Sequence, residues 1–74
     1  MAGPQARFGS RVRAIRKSRR WTQEELAARS GRHPTYIGGI ERGERNITIQ
    51  VIADIARALG VRITELFETG PVPK

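Results

Sequence analysis

Cysteine is absent from the 74 residues, and histidine, tryptophan and tyrosine each occur once. Without cysteine there is no disulfide framework and no thiolate metal site, and a lone His33 offers no histidine cluster. No apolar run approaches the length needed to span a bilayer, and the N-terminus lacks the apolar stretch of a signal peptide. Acids are scarce, and the only adjacent pair, Glu24–Glu25, stands where a helix begins. No catalytic residue, metal or cofactor is therefore expected. The expectation is a cytoplasmic protein, not an enzyme, with no membrane contact and no small-molecule ligand.

What is abundant is arginine. Fourteen basic residues face seven acids, a net charge of +7, and twelve of the fourteen are Arg. Guanidinium groups make paired hydrogen bonds to phosphate, whereas lysine acts more as a point charge. So basic a small domain points to nucleic acid, with anionic membrane a distant second. The length allows one domain with one small core.

The apolar spacing is helical throughout. Phe8, Val12 and Ile15 share one face of a first helix from Ala6 to Arg20, and the other faces are crowded with arginines. Thr22 caps a second helix and Glu25 is placed to complete a capping box. That helix runs to Ser30, where Gly31 supplies a left-handed turn. Pro34 suits the first position of a short third helix, which Gly43 ends. Thr48 caps a fourth helix with Ile52, Ile55, Ala56 and Leu59 as its stripe, closed by Gly60. Thr64 opens a fifth, holding Leu66 and Phe67. Residues 1–5 read as a flexible arm, 6–69 as the domain and 70–74 as a flexible tail.

The third helix raises a question. Within Tyr36–Asn46, YIGGIERGERN, two glycines adjoin in the helix interior, at roughly 2 kcal/mol relative to two alanines. At about 100° per residue, Ile37 and Ile40 share one face. Pro34, Thr35, Gly38, Gly39 and Arg42 gather on the other. The glycines therefore sit opposite the core, and the expectation is that they exchange helix stability for a close approach to a ligand.

A short glycine turn joins the second and third helices, Ala27 is small where they cross, and Leu26, Ile37 and Ile40 supply buried contacts. Together these form a helix-turn-helix signature. The segments TQEELAARSG, YIGGIERGERN, IADIARALGV and TELF, in that order, resemble the XRE-type helix-turn-helix family of phage repressors and Cro proteins. In length and in the ERGERN segment the chain is similar to the controller proteins of restriction–modification systems. The resemblance covers residues 8 to 68. It implies an all-α, five-helix, lambda-repressor-like domain that binds a palindromic double-stranded DNA operator as a homodimer and regulates transcription. Related domains also serve as antitoxins or assembly subunits, so a protein-interaction module is the alternative.

The resemblance also implies roles for matching positions. Gln23 would bind a phosphate beside the N–H groups of the second helix. Arg16 and Glu41 would form a structural ion pair, leaving Arg16 unavailable to DNA. The third helix, about 34–42, would enter the major groove. Arg45 and Asn46 would lie at the DNA-facing edge, although Asn46 in a turn also commonly bonds backbone groups. The chain departs from the pattern at Pro34 and Gly39, where family members often carry long or polar side chains. Direct base contact then falls first on Thr35, with His33, Arg32 and Arg42 behind it. His33 reads first as an exposed turn residue or cap, and Tyr36 equally as a phosphate contact or a packing residue. Arg11, Arg19 and Arg20 read as a solvated face. Ile47, Ile49, Val51, Val61 and Ile63 exceed the needs of so small a core. Of these, Ile49, Val61 and Ile63 are the candidate dimer interface.

Overall fold

The computed structural model describes residues 3–73; Met1, Ala2 and Lys74 lie outside it. Its elements are α1 (Pro4–Ser18), α2 (Gln23–Ser30), α3 (Pro34–Glu41), α4 (Ile49–Leu59) and a single 3-10 turn (Ile63–Leu66). The domain is all-helical, with four α-helices among the described residues rather than five. In place of a fifth helix capped by Thr64 there is one turn, begun by the Glu65 carboxylate accepting from the Arg62 N–H at 2.8 Å. Ile63 and Thr64 are β-branched and disfavour helix. Gly70–Pro71 then forbids continuation.

Local chemistry sets the other boundaries. The Thr22 hydroxyl accepts from the Glu25 N–H, and the Thr48 hydroxyl from the Val51 N–H. Only half of the capping box forms, because the Glu25 carboxylate turns to Arg29, one helical turn on, at 2.9 Å. Gly31 takes φ 72° and the Arg32 N–H bonds back to the Ala27 carbonyl. This ends α2, and only residues 31–33 separate it from α3. Pro4 and Gln5 belong to α1, not to an arm, because Pro4 suits the first helical position as Pro34 does.

The core is Phe8, Val12, Ile15, Leu26, Ala27, Ile37, Ile40, Val51, Ile55, Ala56, Leu59 and Leu66. Val51 is inside, and Ile52 only partly buried. The α4 stripe therefore runs through 51, 55 and 59, one residue out of the expected phase at its start. Deleting any of the large members would cost about 2–5 kcal/mol.

Two features were not legible from spacing. Gly9 lies where α1 meets α3 backbone to backbone: a β-carbon there would stand 2.1 Å from the Ile40 carbonyl oxygen. Residues 70–73 are not a free tail. The Arg11 guanidinium donates to the carbonyls of Glu65, Gly70 and Pro71, and Arg19 donates to those of Leu59 and Pro73. Val72 packs against the core margin. Arg11 and Arg19 thus bind a C-terminal strap along α1, because a segment with two prolines leaves its carbonyls without helical partners.

Candidate nucleic-acid interface

The site is built on α3 and on the turn that aims it. Behind α3, Arg16 from α1 grips Glu41 with two bonds, Nε to Oε2 at 2.6 Å and Nη2 to Oε1 at 2.9 Å. Arg16 Nη1 donates to the Trp21 carbonyl at 2.7 Å, fastening the α1–α2 corner to the same pair. Both side chains are almost fully buried. The paired hydrogen bonds to Glu41 hold the Arg16 pKa above its ordinary value against the opposing pull of burial. Three of its five N–H groups are thus bonded inside the domain, and the side chain is buried there instead of being offered to a ligand.

Gln23 joins the same cluster from the first turn of α2. Its amide nitrogen donates to Glu41 Oε1 at 3.1 Å. The amide carries a second N–H, so Glu41 fixes the side chain while one donor remains. Gln23 therefore stands at a helix N-terminus, where backbone N–H groups and the helix dipole favour an anion.

The outer face of α3 carries the rest. Thr35 is exposed near the start of the helix. Tyr36 is half-buried against the core margin, and the Arg45 guanidinium lies over its ring, 5.3 Å from the centroid. Arg42, at the C-cap, donates from Nε to Glu44 at 3.0 Å. That exposed bond raises the Arg42 pKa and lowers that of Glu44.

Gly38 and Gly39 are buried, although they sit opposite the core. Side chains cover them. A β-carbon on Gly38 would meet Arg42 Nη1 at 3.1 Å and Gln23 Oε1 at 3.3 Å. One on Gly39 would meet Arg45 Nε at 3.0 Å and Arg45 Cγ at 3.1 Å. The glycines are therefore not bare backbone awaiting a ligand, as the sequence suggested.

Three other expected residues are engaged elsewhere or as caps. Arg32 does not point outward: its guanidinium is bound by Asp54 of α4. The charge at this position ties the turn to α4 and is partly covered there. Asp54 also accepts from Gln50, and that bond, ahead of Arg32, holds its carboxyl below the ordinary range. His33 is the N-cap of α3, its Nδ1 accepting from the Thr35 N–H at 3.1 Å. The Asn46 side-chain Oδ1 accepts from the Gln5 side-chain amide at 2.9 Å, which ties the loop after α3 to α1.

Gln23, Arg42 and Arg45 thus stand over the glycine pair, with Tyr36 beneath the Arg45 guanidinium and Thr35 exposed at the start of the same helix, and a locked ion pair lies behind them. Among the described residues, Arg7, Arg13, Lys17, Arg20 and Arg45 make no ion pair with an acid, nor do Arg11 and Arg19, which bond backbone carbonyls. No group of three or more metal-binding side chains occurs among them, and no helix is long and apolar enough to cross a membrane.

A helix-turn-helix whose second helix carries an exposed polar and cationic face defines the class, and comparison with known proteins agrees. The helix-turn-helix family profile matches residues 12–66, and the chain belongs to that family. It is 45% identical over 62 residues to the control protein C.BamHI of Bacillus amyloliquefaciens, covering 82% of this chain and 76% of that protein. The crystal structure of the restriction–modification controller protein C.AhdI from Aeromonas hydrophila superposes with a TM-score of 0.83 at 41% identity, covering 85% of this chain and 96% of that one. The controller protein C.Esp1396I, solved bound to a 25 base pair operator site, superposes with a TM-score of 0.80 at 34% identity, covering 90% and 88%.

Proposed function

We propose that this protein is a sequence-specific double-stranded DNA-binding transcriptional regulator of the controller type. The observation that carries the reading is the convergence of Gln23, Thr35, Tyr36, Arg42 and Arg45 on the outer face of α3, with Arg16 and Glu41 sealed behind it. The fold likeness to a controller protein solved bound to an operator site supports double-stranded DNA as the partner. In this reading α3 enters the major groove. Gln23 and the α2 N-terminus take a phosphate, Thr35 touches a base edge, and Arg42 and Arg45 reach phosphates or bases beside it. His33 positions α3 as its cap, and Asn46 holds the loop that presents Arg45. With few side chains to read bases, much of the selectivity falls to DNA shape.

The protein acts as a homodimer on a palindromic operator, with two copies of α3 about one DNA turn apart, ~34 Å. Ile49 is 82% exposed, Phe67 55% and Ile63 45%, and burial in a dimer accounts for three large apolar side chains in water. Val61 packs partly against the core instead, and Val51 lies inside it. Phe67, whose ring lies 5.3 Å from that of Phe8, takes the place of Val61 in the candidate interface. By occupying an operator near a promoter the protein represses or activates the adjacent gene. Selection of duplexes from a random pool tests the reading: the expected product is an inverted repeat with half-sites one turn apart. Enrichment of no duplex refutes it.

A further inference from the structure

We infer that Gly39, with Tyr36, is a positioning device for Arg45, and that Gly38 serves Arg42 in the same way. The inference rests on the DNA-binding reading and adds a reason for the glycine pair. The two glycines carry the propensity penalty of their type yet do nothing for the fold. Neither has a positive φ. The nearest atoms that a β-carbon would meet are side-chain atoms of Arg42, Gln23 and Arg45. Gly9 is the contrast: there the nearest atoms are backbone oxygens and carbon of α3, and the glycine is a packing requirement.

What the glycines do is leave room for two arginines: Arg45 lies flat over Gly39, and the Arg42 guanidinium places Nη1 over Gly38. Arg45 Cγ, Cδ and Nε all come within 3.6 Å of the place where a Gly39 β-carbon would be. The whole mid-section of the side chain therefore rests on helix backbone. From that seat its guanidinium extends over the Tyr36 ring, a cation–π contact that fixes the far end. Arg42 is held similarly, between Glu44 on one side and the seat over Gly38 on the other. A long arginine ordered before it meets its ligand loses less freedom on binding. The arrangement presets two cationic groups at the end of the recognition helix without a covering side chain of that helix between them and the backbone.

A double-mutant cycle at Gly39 and Arg45 tests the device, using as probe the duplex that the wild-type chain enriches from a random pool. Gly39→Ala is expected to unfold at the same or a higher temperature than wild type, and to bind that duplex more weakly. The loss should be between ~5-fold and ~100-fold, the span of one well-placed arginine contact. In an Arg45→Ala background the same substitution should change affinity less than about 2-fold. In the free protein, the ring-current shift that Tyr36 imposes on the Arg45 side-chain protons should be lost in Gly39→Ala. An equal loss in both backgrounds would mean that DNA itself approaches Gly39, and would overturn the inference while leaving the DNA reading intact. No loss in either background, or an Arg45 shift unchanged by the substitution, would overturn it as well. Failure of the wild-type chain to enrich any duplex would refute the DNA reading, and this role with it.

Discussion

Replacing Gly9 by alanine should be the most damaging single-methyl change in the chain. The new β-carbon would lie 2.1 Å from the Ile40 carbonyl oxygen and 2.8 Å from that of Glu41. Ordinary contact begins near 3.4 Å, and neither obstacle is a flexible side chain. Helix α1 must back away from α3 by roughly 1 Å or more, and a gap of that size forfeits a quarter to a half of each dispersion contact across it. The contacts at stake are those of Phe8, Val12, Ile15, Ile37 and Ile40, all within 2% of complete burial. Overpacking costs about 1–3 kcal/mol, and alanine returns at most ~1 kcal/mol of helix propensity. The clash with fixed backbone puts the cost at the upper end, for a net loss of about 2 kcal/mol. A domain of this size has only ~4–11 kcal/mol in all, and the melting temperature should fall by about 10 °C. Urea unfolding followed by Trp21 fluorescence measures the loss. A Gly9→Ala protein within about 0.5 kcal/mol of wild type would refute the backbone contact and the α1–α3 packing built on it.

Other perturbations separate the remaining parts. Glu41→Ala strands the Arg16 charge and should cost about 3–5 kcal/mol, whereas Arg16→Met with Glu41→Leu should recover most of it; chemical denaturation of the three proteins decides. Asp54 and Glu44 both titrate below their ordinary ranges, Asp54 chiefly through Gln50 and Glu44 chiefly through Arg42. Their contribution is complete above the unfolded-state values near ~4 and drains away as pH falls below them. Urea midpoints should therefore drop on acidification below about pH 4, and less steeply in Asp54→Asn; an unchanged acid slope in that variant would count against the bonds from Gln50 and Arg32 that hold the Asp54 carboxylate. Arg19→Ala should cost about 1 kcal/mol and, like Arg11→Ala, make residues 70–73 more mobile by α-carbon relaxation, because their carbonyls lose guanidinium donors. Equal mobility in wild type would show that the strap is not held.

The parts legible in the sequence are those decided within a few residues. Thr22, Pro34 and Thr48 announce helix starts, and Gly31 and Gly60 announce ends, because capping is a local bond. The turn that aims α3 follows from Gly31 alone. What the sequence hid depends on distant partners. Gly9 looks like any helical glycine until α3 is laid against it. Arg32 reads as a cation free for DNA until Asp54, 22 positions on, is folded beside it. Arg11 and Arg19 read as a solvated face because their acceptors are carbonyls near the other end of the chain. The glycine pair was placed correctly on the face away from the core. Its role changed because the cover over it comes from Arg42 and Arg45, whose direction no helical wheel supplies.

In the proposed function a cationic recognition face binds DNA through its phosphates as well as its bases. The measurement that tests this most directly is the affinity of the wild-type protein for its selected duplex as salt is raised. Each neutralised phosphate contributes about −0.9 to the slope of log K against log salt. A dimer presenting Arg42, Arg45 and the unpaired arginines twice over should give a slope of about −4 or steeper. A slope near zero would contradict the account, because no set of phosphate contacts is compatible with it.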